Sequence, residues 1–561
     1  MTEALTKKRL TESTTPSPDF FDIASRPSLP VWLDRVRPHQ WTAVESILRA
    51  YESGTDVVFL DAPTGSGKTL IAELVSRLLN LRTLYVCSDK SLQEQFIRDY
   101  PYAKLLKGRA NYPTLDFPFP RYNAGDCDKT RDRGCHWCDK PGLCPYEIAK
   151  REAHTSPIAT VNTSYLLHEA NYVGGFSNMP FVVADECDTL ENALMGFVEF
   201  FLSKQLLKRL EIHAPRKGVH KATIVEWIED KFIPAATDHM GNLSTFGPEH
   251  IEYIRRARSL QQKIEQAKSV VVEFDENWVR DNSFDGTLVL KPVTVNKYGR
   301  EYLWRHGQKW LCMSASIISP DEMADSLGLD EVTENHPNPL TWEMVTVPST
   351  FPVRHRPVIM VPAADMTKAA MDEDPYTLDK MAGDINTIAE ANPGENILVH
   401  THSYKNATEL ASRFRGTHKR VTYKDAVTRE EAITRLRSEK GIIAFSPSMD
   451  RGVDLVGDMC RVGVIAKVPY PYLGDRQVSA RMRTRLGNMW YTVQTVRSIL
   501  QMTGRMVRNR NDWAVCFILD SNFIKFWKKA KRYFPKWWVD AFRMERPPVL
   551  KKSAWEIVHD D

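Results

Sequence analysis

The stretch VVFLDAPTGSGKT, residues 57–69, constrains the fold more than any other part of the chain. A β-rich run, VVFL, leads into the glycine-rich APTGSGKT, Ala62 to Thr69, and a helix-patterned segment, LIAELVSRLLN, follows at once. Strand, loop and helix in that order are the setting in which a backbone loop cradles a phosphate chain. Thr64, Gly65, Ser66 and Gly67 are therefore nucleotide-binding candidates, the two glycines letting the N–H groups and the helix N-terminus turn towards phosphate oxygens. Lys68 is the expected cation for the β- and γ-phosphates, and Thr69 the expected hydroxyl ligand of Mg²⁺. A chance glycine-rich turn would need neither the strand before it nor the helix after it.

The rest of the chain keeps this rhythm. LYVC at 84–87, FVVAD at 181–185 and WLCMSA at 310–315 read as further strands separated by helical patterns. A second series, NILVHTHS at 396–403, GIIAFSPS at 441–448, RVGVIAKV at 461–468 and AVCFILD at 514–520, predicts a second parallel sheet. The expected fold class is thus α/β with two such domains. Between the acidic run at 185 and WLCMSA lies a helix-rich stretch, including HIEYIRRARSLQQKIEQAKSVVVEF, which is too long for a loop and predicts an inserted helical domain.

The acidic run VVADECD ends an apolar strand with Asp185 and Glu186. Ligands collect at that edge of a parallel sheet. Asp185 is a candidate for the Mg²⁺ shell and Glu186 for orienting and deprotonating a water, although two carboxylates at a strand end can equally form a turn and helix cap. In the second domain, QMTGRMVRNRND spaces Gln501, Arg505 and Arg508 to lie along one side of a helix. Arginines facing a γ-phosphate across a cleft act as fingers; the alternative is a solvated basic face.

Four of the nine cysteines, Cys127, Cys135, Cys138 and Cys144, fall in GDCDKTRDRGCHWCDKPGLCPY. No apolar run of signal-peptide or membrane-span length accompanies them, which predicts a cytoplasmic chain without membrane contact. In a reducing compartment a local quartet holds metal rather than disulfides. Four thiolates suit tetrahedral zinc and a cubane iron–sulfur cluster alike, and the spacing leaves both open. Cys87, Cys187, Cys312, Cys460 and Cys516 sit on or beside predicted strands and read as packing residues. Lys129, Arg131, Arg133 and Lys140, interleaved with His136 and Trp137, form either a phosphate-binding and base-stacking surface or a solvated charged loop. The net charge of +4 names no partner by itself. The aromatic and basic segment FIKFWKKAKRYFPKWWVDAFR is expected to pack into its domain.

The order of these motifs resembles superfamily 2 helicases. RPHQ, with Arg37 and Gln40, looks like the adenine-reading segment, VCSDKSLQEQF at 86–96 like a strand-contacting motif, and DECD like the DEAD/DEAH box. MSAS at 313–316 matches the Ser-Ala-Thr motif, and DRGVDL, with Gly452 and Asp454, the segment linking DNA to ATP. The four-cysteine insertion ending in CPYE, IATVNTSYLL at 158–167 and the long insertion before MSAS resemble the XPD/DinG family of iron–sulfur helicases. That resemblance implies a 4Fe-4S cluster on the quartet and two RecA-like motor domains. It implies ATP and Mg²⁺ as cofactors, single-stranded and forked or tailed duplex DNA as partners, 5′ to 3′ movement, and a monomer.

The expected layout is a tail at 1–24 and a first RecA-like domain over 25–108, 154–192 and 285–340. A cluster domain occupies 109–153, a helical arch 193–284, and the second RecA-like domain 341–561. Asp188 departs from the family pattern, standing where a histidine is expected to couple the acidic box to MSAS and Gln501, so hydrolysis should survive on Asp185 and Glu186 while its coupling to DNA is in question. Two other readings share these motifs: a translocase or remodeller that does not separate strands, and a metal-stabilised nucleic-acid-binding protein with a decayed motor.

Overall fold

The computed structural model describes residues 36–560 apart from 116–122, 128, 131–133, 136–140, 244, 246–250, 275–276, 282–285, 335, 448, 450–454, 456, 505 and 508. The expected tail at 1–24 lies outside them. Seven strands form the first sheet: β1 (Val57–Asp61), β2 (Thr83–Cys87), β3 (Lys104–Leu105), β4 (Ile158–Asn162), β5 (Phe181–Asp185), β6 (Trp310–Ser314) and β7 (Trp342–Thr346). Their order is β7-β1-β6-β5-β2-β4-β3, and every pairing is parallel. Parallel neighbours require crossovers, and helices fill that role on both faces. Val57 and Phe59 of β1 face one apolar cluster while Val58 and Leu60 face another. This burial on both faces explains why the strands read as unbroken apolar runs.

The second sheet is also parallel and seven-stranded: β8 (Val358–Ala364), β9 (Ile397–His400), β10 (Lys419–Val421), β11 (Ile442–Ser446), β12 (Val462–Ile465), β13 (Val515–Asp520) and β14 (Phe542–Met544). It runs β10-β11-β9-β12-β13-β8-β14. The helices that matter for the site are α1 (Pro38–Glu52), α2 (Lys68–Leu79), α3 (Leu190–Val198), α4 (Ile251–Glu273), α5 (Pro320–Ser326) and α6 (Gly487–Thr503).

Two boundaries differ from the sequence reading. The strand Leu288–Pro292 pairs antiparallel with Phe200–Leu202 and Trp278–Asp281, so the helical insertion carries its own three-stranded sheet and extends past residue 284. Its Phe200, Ile228, Phe232, Leu260 and Ile264 share one apolar cluster with Val57 and Phe59, which anchors the insertion on a face of the first sheet. Beyond residue 340, β7 still belongs to the first sheet, where it pairs with β1 and where Trp342 meets Phe59 edge-on at 5.9 Å. A half-buried edge strand interrupted by Glu343 and Thr346 lacks the apolar run that marked the central ones.

The aromatic residues after β13 pack inwards as expected: Phe523, Phe526, Phe534 and Trp538 are buried, whereas Lys528, Lys529 and Arg532 are exposed. Trp538 stacks on Phe542 at 5.1 Å and donates its indole N–H to Thr503 Oγ1 at 2.9 Å, tying this cluster to the end of α6. Trp538→Ala is expected to cost the second domain about 3–5 kcal/mol, read as faster hydrogen exchange along β13. Among the described residues no helix is long and apolar enough to cross a membrane.

Candidate active site

The loop after β1 enters α2 with Gly65 and Gly67 in the left-handed region, at φ 77° and 86°. Gly67 is the N-cap of α2, so the unpaired N–H groups of its first turn face the space above the loop. A Cβ at Gly67 would lie 2.1 Å from Gln40 Nε2. This crowding arises because α1 braces the loop: Gln40 Nε2 donates to Ser66 O at 3.0 Å, His39 Nε2 lies 3.2 Å from the same oxygen, and Arg37 Nη1 donates to Gly65 O at 3.4 Å. Gln40 Oε1 in turn accepts from Arg37 N at 2.8 Å. Arg37 and Gln40 thus stand beside the loop and hold its shape. Thr64 is half-buried, and Ser66 is buried with a hydroxyl that has no hydrogen-bond partner among the described residues.

The acidic pair meets this loop from the neighbouring part of the sheet. Lys68 Nζ lies 2.9 Å from Glu186 Oε1. Burial disfavours the Lys68 ammonium, but Glu186 and Asp185 outweigh it and hold its pKa above the ordinary lysine value. Burial raises the Asp185 carboxyl to about 6, against the opposing pull of Lys68. Glu186 adopts φ 52°, an uncommon left-handed conformation for a residue with a side chain, and its N–H donates to Asp185 Oδ1 at 3.0 Å. Tyr85, whose hydroxyl also interacts with Thr69, donates to Asp185 Oδ2 at 3.0 Å. Thr69 and Asp185, the two residues expected to serve Mg²⁺, therefore share one tyrosine. Such a site can hold a divalent cation beside a phosphate and present a second carboxylate to water. Tyr85 lay inside an apolar strand, where nothing in the sequence distinguished it from a core residue.

The second domain reaches this site through α6. Gln501 Nε2 donates to Asp188 Oδ2 at 2.9 Å, and Ser314 Oγ donates to Asp188 Oδ1 at 2.9 Å. Ser314 Oγ is also 3.5 Å from Glu186 Oε2, and Ser316 N donates back to it at 3.1 Å. Asp188 thus contacts both Ser314 and Gln501, each carboxylate oxygen accepting from one neutral donor. The helix that carries Gln501 is shorter than the spacing predicted. α6 ends at Thr503, with Gly504 as C-cap and its N–H bonded to Leu500 O at 2.9 Å. Glycine is a poor helix former and commonly closes a helix. Arg505, Arg508, Gly452 and Asp454 lie outside the described residues.

Of the cysteine quartet, Cys127 and Cys144 are buried thiols. Cys135 is described only as backbone, in a short antiparallel pairing of Gly134–Cys135 with Lys129–Thr130, and Cys138 lies outside the described residues, as do His136 and Trp137. Thr114 Oγ1 is 2.8 Å from Cys127 Sγ, while Arg109 and Arg258 donate to the Cys127 carbonyl at 3.1 and 2.8 Å. Arg255, a turn before Arg258 on α4, pairs with the fully buried Asp126 at 2.7 Å, so the helical insertion touches the cysteine segment directly. Cys144 caps the helix Pro145–Thr155, whose first residue is proline. Two buried thiols in a segment with little core of its own fit a thiolate-bound metal group. Among the described residues no group of three or more His, Cys, Asp and Glu side chains is gathered to hold a metal ion. The other five cysteines are buried as packing residues, burial pushing the Cys460 thiol up to about 12.

Residues 385–541 match the family model of a helicase C-terminal domain, and residues 34–135 that of the type III restriction enzyme res subunit. The regulator of telomere elongation helicase 1 homolog of Drosophila ananassae is 30% identical over 110 residues, 17% of this chain and 11% of that protein. The Fanconi anemia group J protein homolog of Gallus gallus is 28% identical over 85 residues, 13% of this chain and 7% of that protein. The chain therefore matches only about a tenth of the length of these curated relatives. A solved XPD helicase aligns over 92% of this chain and 100% of its own, with TM-score 0.62 and 16% identity. Xpd4 of S. tokodaii aligns over 91% and 100%, with TM-score 0.57 and 14% identity. Likeness at such identities is one of fold, and it agrees with the two parallel sheets and the insertions between their strands. Taken together, the two family models match a helicase C-terminal domain and a type III restriction enzyme res subunit, the short sequence matches are to helicases, and the fold is similar to that of the solved XPD helicases.

Proposed function

We propose that this protein is an ATP-dependent DNA helicase that moves along single-stranded DNA, 5′ to 3′, and separates forked or tailed duplexes. The observation that carries the reading is the chain of contacts from Lys68 to Glu186, through Ser314 and Asp188, to Gln501 of the other domain. Phosphate chemistry sensed at Lys68 and Glu186 can by this route alter how the two domains meet, and such alternation is what a motor needs. In this reading Lys68 and the loop residues Thr64 to Gly67 bind the phosphates, Thr69 and Asp185 hold Mg²⁺, and Glu186 takes the proton of the attacking water. Arg37 and Gln40 serve the base, Gly452 and Asp454 link DNA to ATP, and Arg505 and Arg508 face the γ-phosphate.

The same reading assigns Cys127, Cys135, Cys138 and Cys144 to a 4Fe-4S cluster within a cluster domain around 109–153. The cluster would supply the metal–thiolate bonds that fold a segment with little core of its own. The buried thiols of Cys127 and Cys144 support that assignment, as does the hydroxyl of Thr114 beside Cys127. Cytoplasmic location and a monomeric state belong to this reading too.

The test is displacement of a labelled strand from a forked duplex with ATP and Mg²⁺. Displacement that requires a 5′ single-stranded tail is the expected outcome. ATP turnover on single-stranded DNA without displacement would instead identify a translocase that does not unwind.

A further inference from the structure

The contact surface between the two domains buries four charged side chains, and partly buries a fifth, beside the candidate active site. The first domain contributes Asp188, Glu191 on α3 and Glu322 on α5; the second contributes Arg481 and Arg497. Arg481 pairs with Glu191, donates to Ser326 Oγ at 2.7 Å and lies 4.3 Å above the Trp490 ring. Trp490 Nε1 donates to the same Glu191 at 3.2 Å. These contacts seat the first turn of α6 against α3 and α5.

Arg497 holds the other end of α6. Its side chain is 3% exposed, and that of Asp188 is fully buried, so neither charge has water to stabilise it. Its Nε lies 4.0 Å from Asp188 Oδ2, its Nη2 lies 3.8 Å from Glu322 Oε2, and its Nε donates to Ser316 O at 3.3 Å. A planar guanidinium reaches all three, whereas an ammonium is a single point charge. Arg497 and Gln501 stand at i and i+4 on α6 and project from the same face. Both address the same oxygen of Asp188, the arginine with charge and the glutamine with a hydrogen bond.

We propose that Arg497 is a positioning residue for ATP turnover. It neutralises Asp188 in a buried site and holds its carboxylate where Ser314 and Gln501 can both donate to it. It thereby fixes the end of α6 relative to Glu186. The inference rests on the ATP-hydrolysis reading above. It assigns a role to a residue that touches neither nucleotide loop nor metal ligand, and that no motif singled out.

The test compares Arg497→Met, Arg497→Lys, Asp188→Asn and the Arg497→Met/Asp188→Asn double variant in steady-state ATP turnover, with and without oligodeoxythymidylate. Wild-type protein must first turn over ATP on that oligonucleotide; if it does not, the ATPase reading fails independently of Arg497. Arg497→Met is expected to lower kcat on oligodeoxythymidylate by about tenfold or more while KM for ATP moves less than about twofold. Arg497→Lys should fall between it and wild type, and the double variant should be no worse than Arg497→Met because the two residues act as one unit. A kcat within about twofold of wild type, a loss confined to KM, or a double variant at the product of the singles would overturn the proposal. If thermal melting reveals Arg497→Met to be unfolded, Arg497→Lys and Asp188→Asn decide: a lowered kcat at unchanged KM in both supports the role, and wild-type kcat in either removes it.

Discussion

Lys68→Ala is expected to lower ATP turnover by at least about 10²–10³-fold, the range seen when one preorganised group that stabilises transition-state charge is removed. Lys68 opens α2, where the helix N-terminus already favours anions, and its ammonium lies 2.9 Å from Glu186. Removing it takes away the phosphate's cation and leaves Glu186 beside Asp185 without the charge that offsets their repulsion. The expected loss is therefore in chemistry more than in folding, because Lys68 is only half-buried and belongs to no apolar cluster. Phosphate release on single-stranded DNA measures the effect, with circular dichroism and metal content as controls. Turnover at the wild-type rate in a folded Lys68→Ala protein would remove the assignment of 62–69 as the catalytic phosphate loop.

Cys127→Ser is expected to empty the metal site and abolish strand separation while part of the DNA-stimulated ATP turnover survives. Loss of an outer-shell partner alone costs a metal site about 10–100-fold in affinity, and loss of a thiolate should exceed that. The damage should spread towards the helical insertion, since the Cys127 carbonyl accepts from Arg258 and the preceding Asp126 pairs with Arg255. Lys68, Glu186 and Gln501 are held by the parallel sheets and by α6, so the nucleotide site does not depend on that segment. Iron and acid-labile sulfide in anaerobically purified wild-type and variant protein, beside forked-duplex displacement, measure the outcome. Unchanged displacement in the variant would make the quartet dispensable, and colourless wild-type protein holding zinc would replace the cluster with a zinc site.

Legibility followed sequence distance. The loop at 62–69, the strand end at Asp185 and Glu186, and the alternation of strands with helices are local patterns, visible because each is written within about one element of chain. The edge strands β3, β7, β10 and β14 were missed because they are short or polar on one side, and only pairing with a neighbour makes them strands. The end of α6 was misjudged because the spacing of Gln501, Arg505 and Arg508 suits a helix, whereas Gly504 closes it. Tyr85 looks like an ordinary strand residue until the fold sets it beside Asp185.

By itself, the sequence determined that this is a two-domain parallel α/β protein, with a phosphate loop, an acidic strand end and a cysteine segment set between them. Backbone propensity and apolar periodicity act over a few residues, and a lysine after two glycines needs no distant partner to announce itself. Only the tertiary structure decided that Asp188 still joins the acidic box to Ser314 and Gln501, and that Arg497 stands against it as counter-charge. Asp188 is separated from each of Ser314, Arg497 and Gln501 by more than a hundred positions, and a buried charge acquires its meaning from whichever groups replace its water.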